Sequence, residues 1–329
     1  MRFRSGVAVD LGTVNTLVWV AGRGLVLEEP SAIAIDAETG AVEAVGTAAD
    51  VLTDKEPRGV EVIHPLRDGV IADLDASVAM LHGFLRRALG TRLRPARIVV
   101  CVPGGATYVE RRSVIAAVQA RRPRYKSSLV DEPVAAAAGA GLDLSGGAGG
   151  FVVDVGGGTT EIAAVAGWRV VRAESLRVAG NAMDDAIVRR AREEIGLILS
   201  HRAARQLKMT LGLTGGDEGW AETVGIDAGS RAPRVERVGG DLVASAIEPL
   251  VSQMGAAVRE LISEIPPGLA EDVVRGKIRL SGGGALLSGF ADRIEAAAGL
   301  GAVVVEDPLR CVVRGAAMMV DRRRASLLA

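Results

Sequence analysis

Two short segments lying 144 positions apart share one design. Near the N-terminus the apolar run Val7–Val9 leads into Asp10-Leu11-Gly12-Thr13-Val14-Asn15-Thr16, and Leu17–Val20 follows. Past the middle, Phe151–Val153 leads into Asp154-Val155-Gly156-Gly157-Gly158-Thr159-Thr160-Glu161, and Ile162–Val165 follows. Each reads as strand, glycine-rich turn, strand, with an acid where the first strand ends. A repeat on this scale predicts duplicated halves that face each other. The Gly- and Ser-rich stretch Leu144–Gly150 is the natural linker between them.

The 329 residues exceed what one hydrophobic core usually holds, in keeping with two units. Hydrophobic residues make up 49% but aromatics only 3%, so the core must be built from Ala, Val, Leu and Ile. That composition suits parallel strands covered by helices, an α/β fold. The net charge of -1 argues against a nucleic-acid partner. The only lysines are Lys55, Lys126, Lys208 and Lys277, and one local basic cluster stands out, Arg121, Arg122, Arg124 and Lys126. Cys101 and Cys311 sit in apolar runs and read as buried free thiols of a reducing cytoplasm. His64, His82 and His201 are scattered, without metal-site spacing. The N-terminal Met1-Arg2-Phe3-Arg4-Ser5-Gly6 is charged, but the apolar stretch after it breaks at Asp10, too soon for a signal peptide. No apolar run reaches the roughly 18 residues of a membrane span, so a cytoplasmic location is expected.

Hydrophobic spacing predicts helices over Ala76–Leu89, Val109–Ala120, Pro133–Ala140, Ala182–Ile195, His201–Leu211, Leu242–Ile262, Phe290–Ala298 and Val312–Val320. Strands are expected at Ile33–Ile35, Arg97–Val102, Leu129-Val130, Ile278–Leu280 and Val303–Val305. The polar, Gly-rich stretch Gly212–Gly240 reads as a small subdomain with strands. A third glycine turn, Ser281-Gly282-Gly283-Gly284, follows the strand at Ile278.

Glycine in such turns lets backbone N–H groups approach an anion closely. Thr13, Asn15, Thr16, Thr159 and Thr160 add side-chain donors. Asp10 and Asp154 stand where they can hold Mg²⁺ through water, since that ion keeps much of its hydration. One such turn alone reads as a plain tight turn. Two matched Asp-x-Gly turns and a Gly-Gly-Gly turn together point to nucleotide phosphates. The competing motifs are missing: there is no GxxxxGK[ST], and no GxGxxG follows the first strand.

With these residues the chain resembles the actin superfamily and, within it, the MreB/Mbl family of bacterial rod-shape-determining proteins. The matching stretches run in family order over nearly the whole chain. They are Val9–Leu17, Glu29-Pro30-Ser31, Arg67-Asp68-Gly69-Val70-Ile71-Ala72-Asp73, Val109-Glu110-Arg111-Arg112, Asp131-Glu132-Pro133, Asp154–Glu161, Ala179-Gly180-Asn181-Ala182-Met183-Asp184 and Leu280–Leu287. The resemblance implies an actin-like, ribonuclease H-like duplicated fold, each domain a mixed sheet flanked by helices, with a nucleotide cleft between. Domain I would span 1–148, with an insertion at about 33–75. Domain II would span 149–308, with an insertion at about 185–240. The C-terminal helix, 309–329, would return to domain I.

The resemblance also implies roles. Gly12, Thr13, Val14, Asn15 and Thr16 match the first phosphate loop, and Gly156, Gly157, Gly158, Thr159 and Thr160 the second. The ligand would be ATP, or GTP in its place, with Mg²⁺ held through water by Asp10 and Asp154. Glu132 matches the family's water-activating glutamate, and Asp154 is grouped with it as catalytic. On spacing alone Glu132 reads equally as a helix-start acid favoured by the dipole and followed by Pro133. Gly282, Gly283, Gly284 and Ala285 match the adenosine turn, and Gly180, Asp184 and Lys208 the sugar side. The implied activity is a slow Mg²⁺-dependent ATPase coupled to polymerisation.

The implied function is a cytoskeletal protein whose filaments organise cell-wall synthesis and cell shape. Its partners would be other copies of itself, cell-wall synthesis and membrane-anchored morphogenesis proteins, and no nucleic acid. It would lie at the inner face of the plasma membrane, touching it weakly through the Leu93 loop (Gly90–Pro95) and Phe3 between Arg2 and Arg4. The chain departs from its relatives on the sugar side. Asn181-Ala182 replaces two acids, and Lys208-Met209-Thr210 lacks the acid of a Lys-x-Glu segment. That motivates one alternative, a divergent scaffold or regulator that binds nucleotide with little hydrolysis; a second, a metabolic kinase of the same fold, stays open because fold alone does not fix function.

Overall fold

The computed structural model describes residues 6–55, 57–90, 97–120, 126–215 and 219–325, the side chains to Val320. Phe3 and its flanking arginines, the Leu93 loop from 91 onward and Arg121, Arg122 and Arg124 lie outside the described residues.

The chain opens with three strands, β1 (Gly6–Leu11), β2 (Asn15–Val20) and β3 (Gly24–Pro30). A small layer follows: β4 (Ile33–Asp36), β5 (Val42–Val45), the single-turn α1 (Thr47–Asp50) and β6 (Val60–Ile63). Next come a hairpin, β7 (Leu66–Arg67) and β8 (Val70–Ile71), then α2 (Leu74–Leu89), β9 (Arg97–Val102), α3 (Tyr108–Gln119), β10 (Ser127–Asp131) and α4 (Glu132–Gly139). The pattern then restarts with β11 (Gly149–Val155), β12 (Thr160–Ala166) and β13 (Arg169–Leu176). After them run α5 (Gly180–Ile195), β14 (Leu197–Ile198), α6 (His201–Leu211), β15 (Trp220–Asp227), β16 (Pro233–Gly239) and the long α7 (Gly240–Ser263). The chain ends through α8 (Pro267–Gly276), β17 (Ile278–Ser281), α9 (Phe290–Ala298), β18 (Ala302–Val304) and α10 (Cys311–Ala325).

The two large sheets share one topology. The first has the order β10-β9-β1-β2-β3 and the second β13-β12-β11-β17-β18. In each, the opening three strands form an antiparallel meander, and two later strands add in parallel beside the first of them. The repeat seen in sequence is therefore a repeat of fold.

Strand alternation places the cores. Val7 and Val9 face α2 and α3, where Leu81, Phe84 and Leu85 close one core. Phe151, Val153 and Val155 face α5, α7 and α9, with Ile187, Val258 and Phe290. The opposite faces, Ala8 and Val99 of the first sheet and Val152 and Ala163 of the second, share a third cluster with α4 and α10. The two sheets thus sandwich an Ala-rich helix pair, and the small side chains let those helices pack tightly. Both cysteines are buried and free.

Most helices begin and end where hydrophobic spacing placed them. The exceptions have local causes. Asp73 accepts from the Ala76 amide and starts α2 at Leu74, two residues early. Asp68 and Gly69 both adopt positive φ, 49° and 74°, which makes the two-residue turn of the β7–β8 hairpin. Among the described residues no helix is long and apolar enough to cross a membrane.

The α4–α10 contact generates a stability prediction. A Cβ on Gly315 would overlap the carbonyl oxygen of Ala135, a backbone atom that cannot rotate away. In an open helix, Gly→Ala gains up to about 1 kcal/mol. Here overpacking of about 1–3 kcal/mol opposes that gain. Gly315→Ala is expected to lower the free energy of chemical unfolding, where an uncrowded helix position would raise it.

Candidate functional site

The two glycine turns are closed by the same backbone hydrogen bond. In the first, Gly12 N donates to Asn15 O at 3.1 Å, and in the second Gly156 N donates to Thr159 O at 2.9 Å. Both pairs preserve the 144-residue offset of the aspartates. The turns then meet. A Cβ on Gly157 would run into Val14 Cγ2, and one on Gly158 would lie 2.6 Å from Thr13 Oγ1 and 2.8 Å from Asp68 Cα. The β7–β8 hairpin closes over them, with Gly69 N donating to Thr13 Oγ1 at 2.8 Å.

Between the turns lies a cavity of about 440 Å³, within the range of small-molecule sites. One end is lined by Gly12, Thr13, Val14, Asn15, Gly156, Gly157, Gly158 and Thr159, and at its floor stand Asp10, Glu132 and Asp154. Met209, Leu286 and Leu309 add apolar lining, and Gly180, Asp184, Lys208, Gly282, Gly283 and Gly284 also line the cavity. Of the residues the sequence proposed, Thr16, Thr160 and Ala285 do not line this cavity. Each is buried behind it. Thr16 Oγ1 pairs with Ser31 Oγ at 2.8 Å, and Thr160 Oγ1 donates to Val178 O at 2.7 Å. Strand alternation explains this, because Thr16 and Thr160 already belong to β2 and β12.

The acids carry unfavourable electrostatics. Burial, and then the charge of Asp154, raise the Asp10 pKa to about 7. Burial raises Asp154 too, opposed by a 2.6 Å hydrogen bond from Ser281 Oγ. Glu132 is held well above the usual carboxylate range by burial and by Asp10, Glu161, Asp154 and Asp131. No cation pairs with Asp10, Glu132 or Asp154 among the described residues. A triad of uncompensated acids beside exposed backbone amides fits a cation accompanying an anion. No three acids, Cys or His converge closely enough to enclose a metal directly, among the described residues. The carboxylates of Asp10 and Asp154, both lining the cavity, are of the kind that holds a hydrated Mg²⁺ through its waters.

Beside Gly180 the cavity is lined by an ion-paired cluster. Asp184 is 1% exposed, and Lys208 Nζ lies 2.6 Å from its Oδ1 while Arg205 Nε lies 3.3 Å from its Oδ2. Lys208 Nζ also donates to Gly180 O at 2.6 Å. Met209 lines the cavity, but Thr210 does not.

Three supporting residues carried no assigned role in sequence. Ser31 Oγ donates to Gly12 O at 2.6 Å, and Ser31 N to Val14 O at 2.8 Å, pinning the first turn from behind. Ser281 orients Asp154 from the neighbouring strand, where the two residues are in register. Gly69 caps Thr13. The Glu29-Pro30-Ser31 and Arg67-Asp68-Gly69 strings were visible, but only the folded hairpins show what they touch.

The raised Asp10 pKa fixes a pH dependence. An acid whose folded pKa exceeds its unfolded value stabilises the fold least when ionised. Its contribution is lost as pH climbs from about 4 to about 7 and is constant above that. Asp10→Asn is expected to unfold like the parent near pH 4. Its advantage should grow to the order of 2–4 kcal/mol by about pH 7, read by denaturation at a series of pH values.

The comparisons with known proteins agree with this geometry. The family model for MreB/Mbl protein matches residues 4–327. The cell shape-determining protein MreB of Escherichia coli strain K12 is 36% identical over 336 residues, covering 99% of this chain and 96% of that protein. The cell shape-determining protein Mbl of Bacillus subtilis strain 168 is 33% identical, covering 97% and 96%. The crystal structure of MreB 5 of Spiroplasma citri bound to AMPPNP superposes with a TM-score of 0.92 at 28% identity, covering 99% of both chains. With its duplicated sheets and paired glycine turns, the chain belongs to the MreB/Mbl protein family.

Proposed function

We propose that this chain is an actin-like cytoskeletal ATPase of the cell-shape-determining type, binding ATP with Mg²⁺ between its two glycine turns. The observation that carries the reading is the interlocking of those turns across one cavity lined by three acids, Asp10, Glu132 and Asp154. Domains I and II would divide at 148/149, following sheet membership, with 309–329 returned to domain I by the packing of α10 on α4 and β1.

In this reading the turns Gly12–Asn15 and Gly156–Thr159 hold the β- and γ-phosphates from opposite sides, with the Gly12 and Gly156 amides closing the turns themselves. The N-terminus of α5 adds its dipole, because Gly180 and Asn181 hang from Gly156 O and Gly157 O by backbone hydrogen bonds. Mg²⁺, when bound, would neutralise phosphate charge, with Asp10 and Asp154 holding its waters. Glu132 faces the phosphate end and would orient the attacking water and accept its proton, a role worth about 10²–10⁴-fold. Met209, Leu286 and Leu309 take the base. The relatives are named for cell shape, and the same activity is assigned here. Closure around ATP would favour head-to-tail contact between copies, a heterologous interface that extends into filaments. The membrane contact would be peripheral, through Leu93 and Phe3, and the partners would be wall-synthesis and membrane-anchored morphogenesis proteins.

A second reading, a nucleotide-binding scaffold with little turnover, draws support from Asp184. Its two oxygens are already engaged by Lys208 and Arg205. Phosphate release and pelleting separate the two readings. Glu132→Ala is expected to cut ATP turnover on the order of 10²-fold while retaining AMPPNP. Asp154→Ala should lose Mg²⁺-dependent nucleotide binding and ATP-dependent pelleting. Turnover unchanged in Glu132→Ala would favour the scaffold, and a parent protein that stays monomeric with ATP and Mg²⁺ would defeat the filament reading.

A further inference from the structure

Glu161 is a buried acid that the proposed chemistry leaves unused. It is 1% exposed, it does not line the cavity, and no cation pairs with it among the described residues. A buried carboxylate without a counter-charge is retained only where hydrogen bonds hold it. Its two bonds are specific. Oε2 accepts from Gly104 N at 3.0 Å, and Oε1 accepts from Ser175 Oγ at 2.5 Å.

One of those bonds, from Gly104 N, joins the two halves of the molecule, and the other holds the carboxylate within the second sheet. Glu161 and Ser175 stand opposite each other on β12 and β13 of the second sheet. Gly104 belongs to the turn Pro103-Gly104-Gly105, which leaves β9 of the first sheet. That turn has no slack. A Cβ on Gly104 would lie 3.1 Å from Glu161 Oε2 and 3.3 Å from Pro133 Cγ, and one on Gly105 would lie 3.0 Å from Ser175 Cβ. A Cβ on Gly69 would overlap Pro103 Cγ and lie 3.4 Å from Thr159 Oγ1. The turn is thus wedged between the hairpin that caps the phosphate loops, the second half, and the residue that follows Glu132.

We propose that Glu161 is a positioning residue for ATP hydrolysis, holding the Pro103–Gly105 turn against Pro133 so that Glu132 faces the phosphate end of the cavity. This rests on the ATPase reading above. The carboxylate acts through the turn and touches neither nucleotide nor water. It also ties the position of Glu132 to the second half, so that a relative movement of the halves reaches the hydrolytic carboxylate through one hydrogen bond.

The test compares Glu161→Ala, Glu161→Gln and Gly104→Ala with the parent chain, measuring kcat, KM for ATP and Kd for AMPPNP with Mg²⁺. A misplacement of a catalytic group by about 1 Å costs on the order of 10²-fold. Glu161→Ala is therefore expected to lower kcat about 10–10²-fold, with Kd for AMPPNP held within about threefold. Glu161→Gln, whose amide oxygen still accepts from Gly104 N, should restore kcat to within about threefold of the parent. Gly104→Ala attacks the same contact from the other side and should lower kcat without weakening AMPPNP. It carries the test should Glu161→Ala fail to fold. Parent-like kcat in Glu161→Ala, no rescue by Gln, or a loss of AMPPNP affinity as large as the loss of kcat would each overturn the proposal. A Glu132→Ala control that turns over normally would overturn the ATPase reading and this inference together. An inactive Glu132→Ala beside an unaffected Glu161→Ala would overturn this inference alone.

Discussion

Gly157 and Gly158 have no room for side chains, because Val14 and Thr13 of the facing turn already fill that space. This close approach is what the site depends on. It brings two rows of backbone amides to one volume and leaves the gap between them lined by protein dipoles. It also buries Asp10 beside Asp154, the equivalent acid of the other half, so that burial, and then the Asp154 charge, push Asp10 up to about 7. Amides pointing at a gap and acids crowded beneath it are complementary halves of one ligand, an anion with its cation.

The rest of the fold keeps that approach in register. Two sheets of identical topology flank the small-residue helices α4 and α10, whose Ala and Gly contacts leave little play. Away from this layer and from the interlocked turns, two polar contacts between the halves stand out. Glu161 with Gly104 is buried and near the acids. Arg202 with Asp50 bridges the far rim at 2.8 Å, but that pair is solvent-exposed, and such pairs contribute little. A stiff hinge with a lightly held rim suits a cleft that changes width with its ligand.

The duplication, the acids and the phosphate turns were legible in sequence because they are local: strand alternation and glycine spacing are written in consecutive residues. Helices such as His201–Leu211 and Phe290–Ala298 were legible for the same reason, each having one apolar face. Other elements were not. β3 and β13 are edge strands, paired on one side only, and their acids and arginines mask the pattern. No helix was expected at α8, which opens on Pro267, a position that tolerates proline. Thr16 and Thr160 were grouped with the donors because they adjoin the turns, while the first strand pairs beyond the turns point them inward. Ser31, Ser281 and Glu161 sit in stretches visible in sequence, but they act on partners 14 to 127 residues away, so their contacts were not legible there.

The shared-cavity claim is tested most directly by a crystal structure of the chain with AMPPNP and Mg²⁺. The expected density places the β- and γ-phosphates between Gly12–Asn15 and Gly156–Thr159, with a hydrated ion beside Asp10 and Asp154. Phosphates resting on one turn alone, or a nucleotide bound outside the cleft, would contradict it.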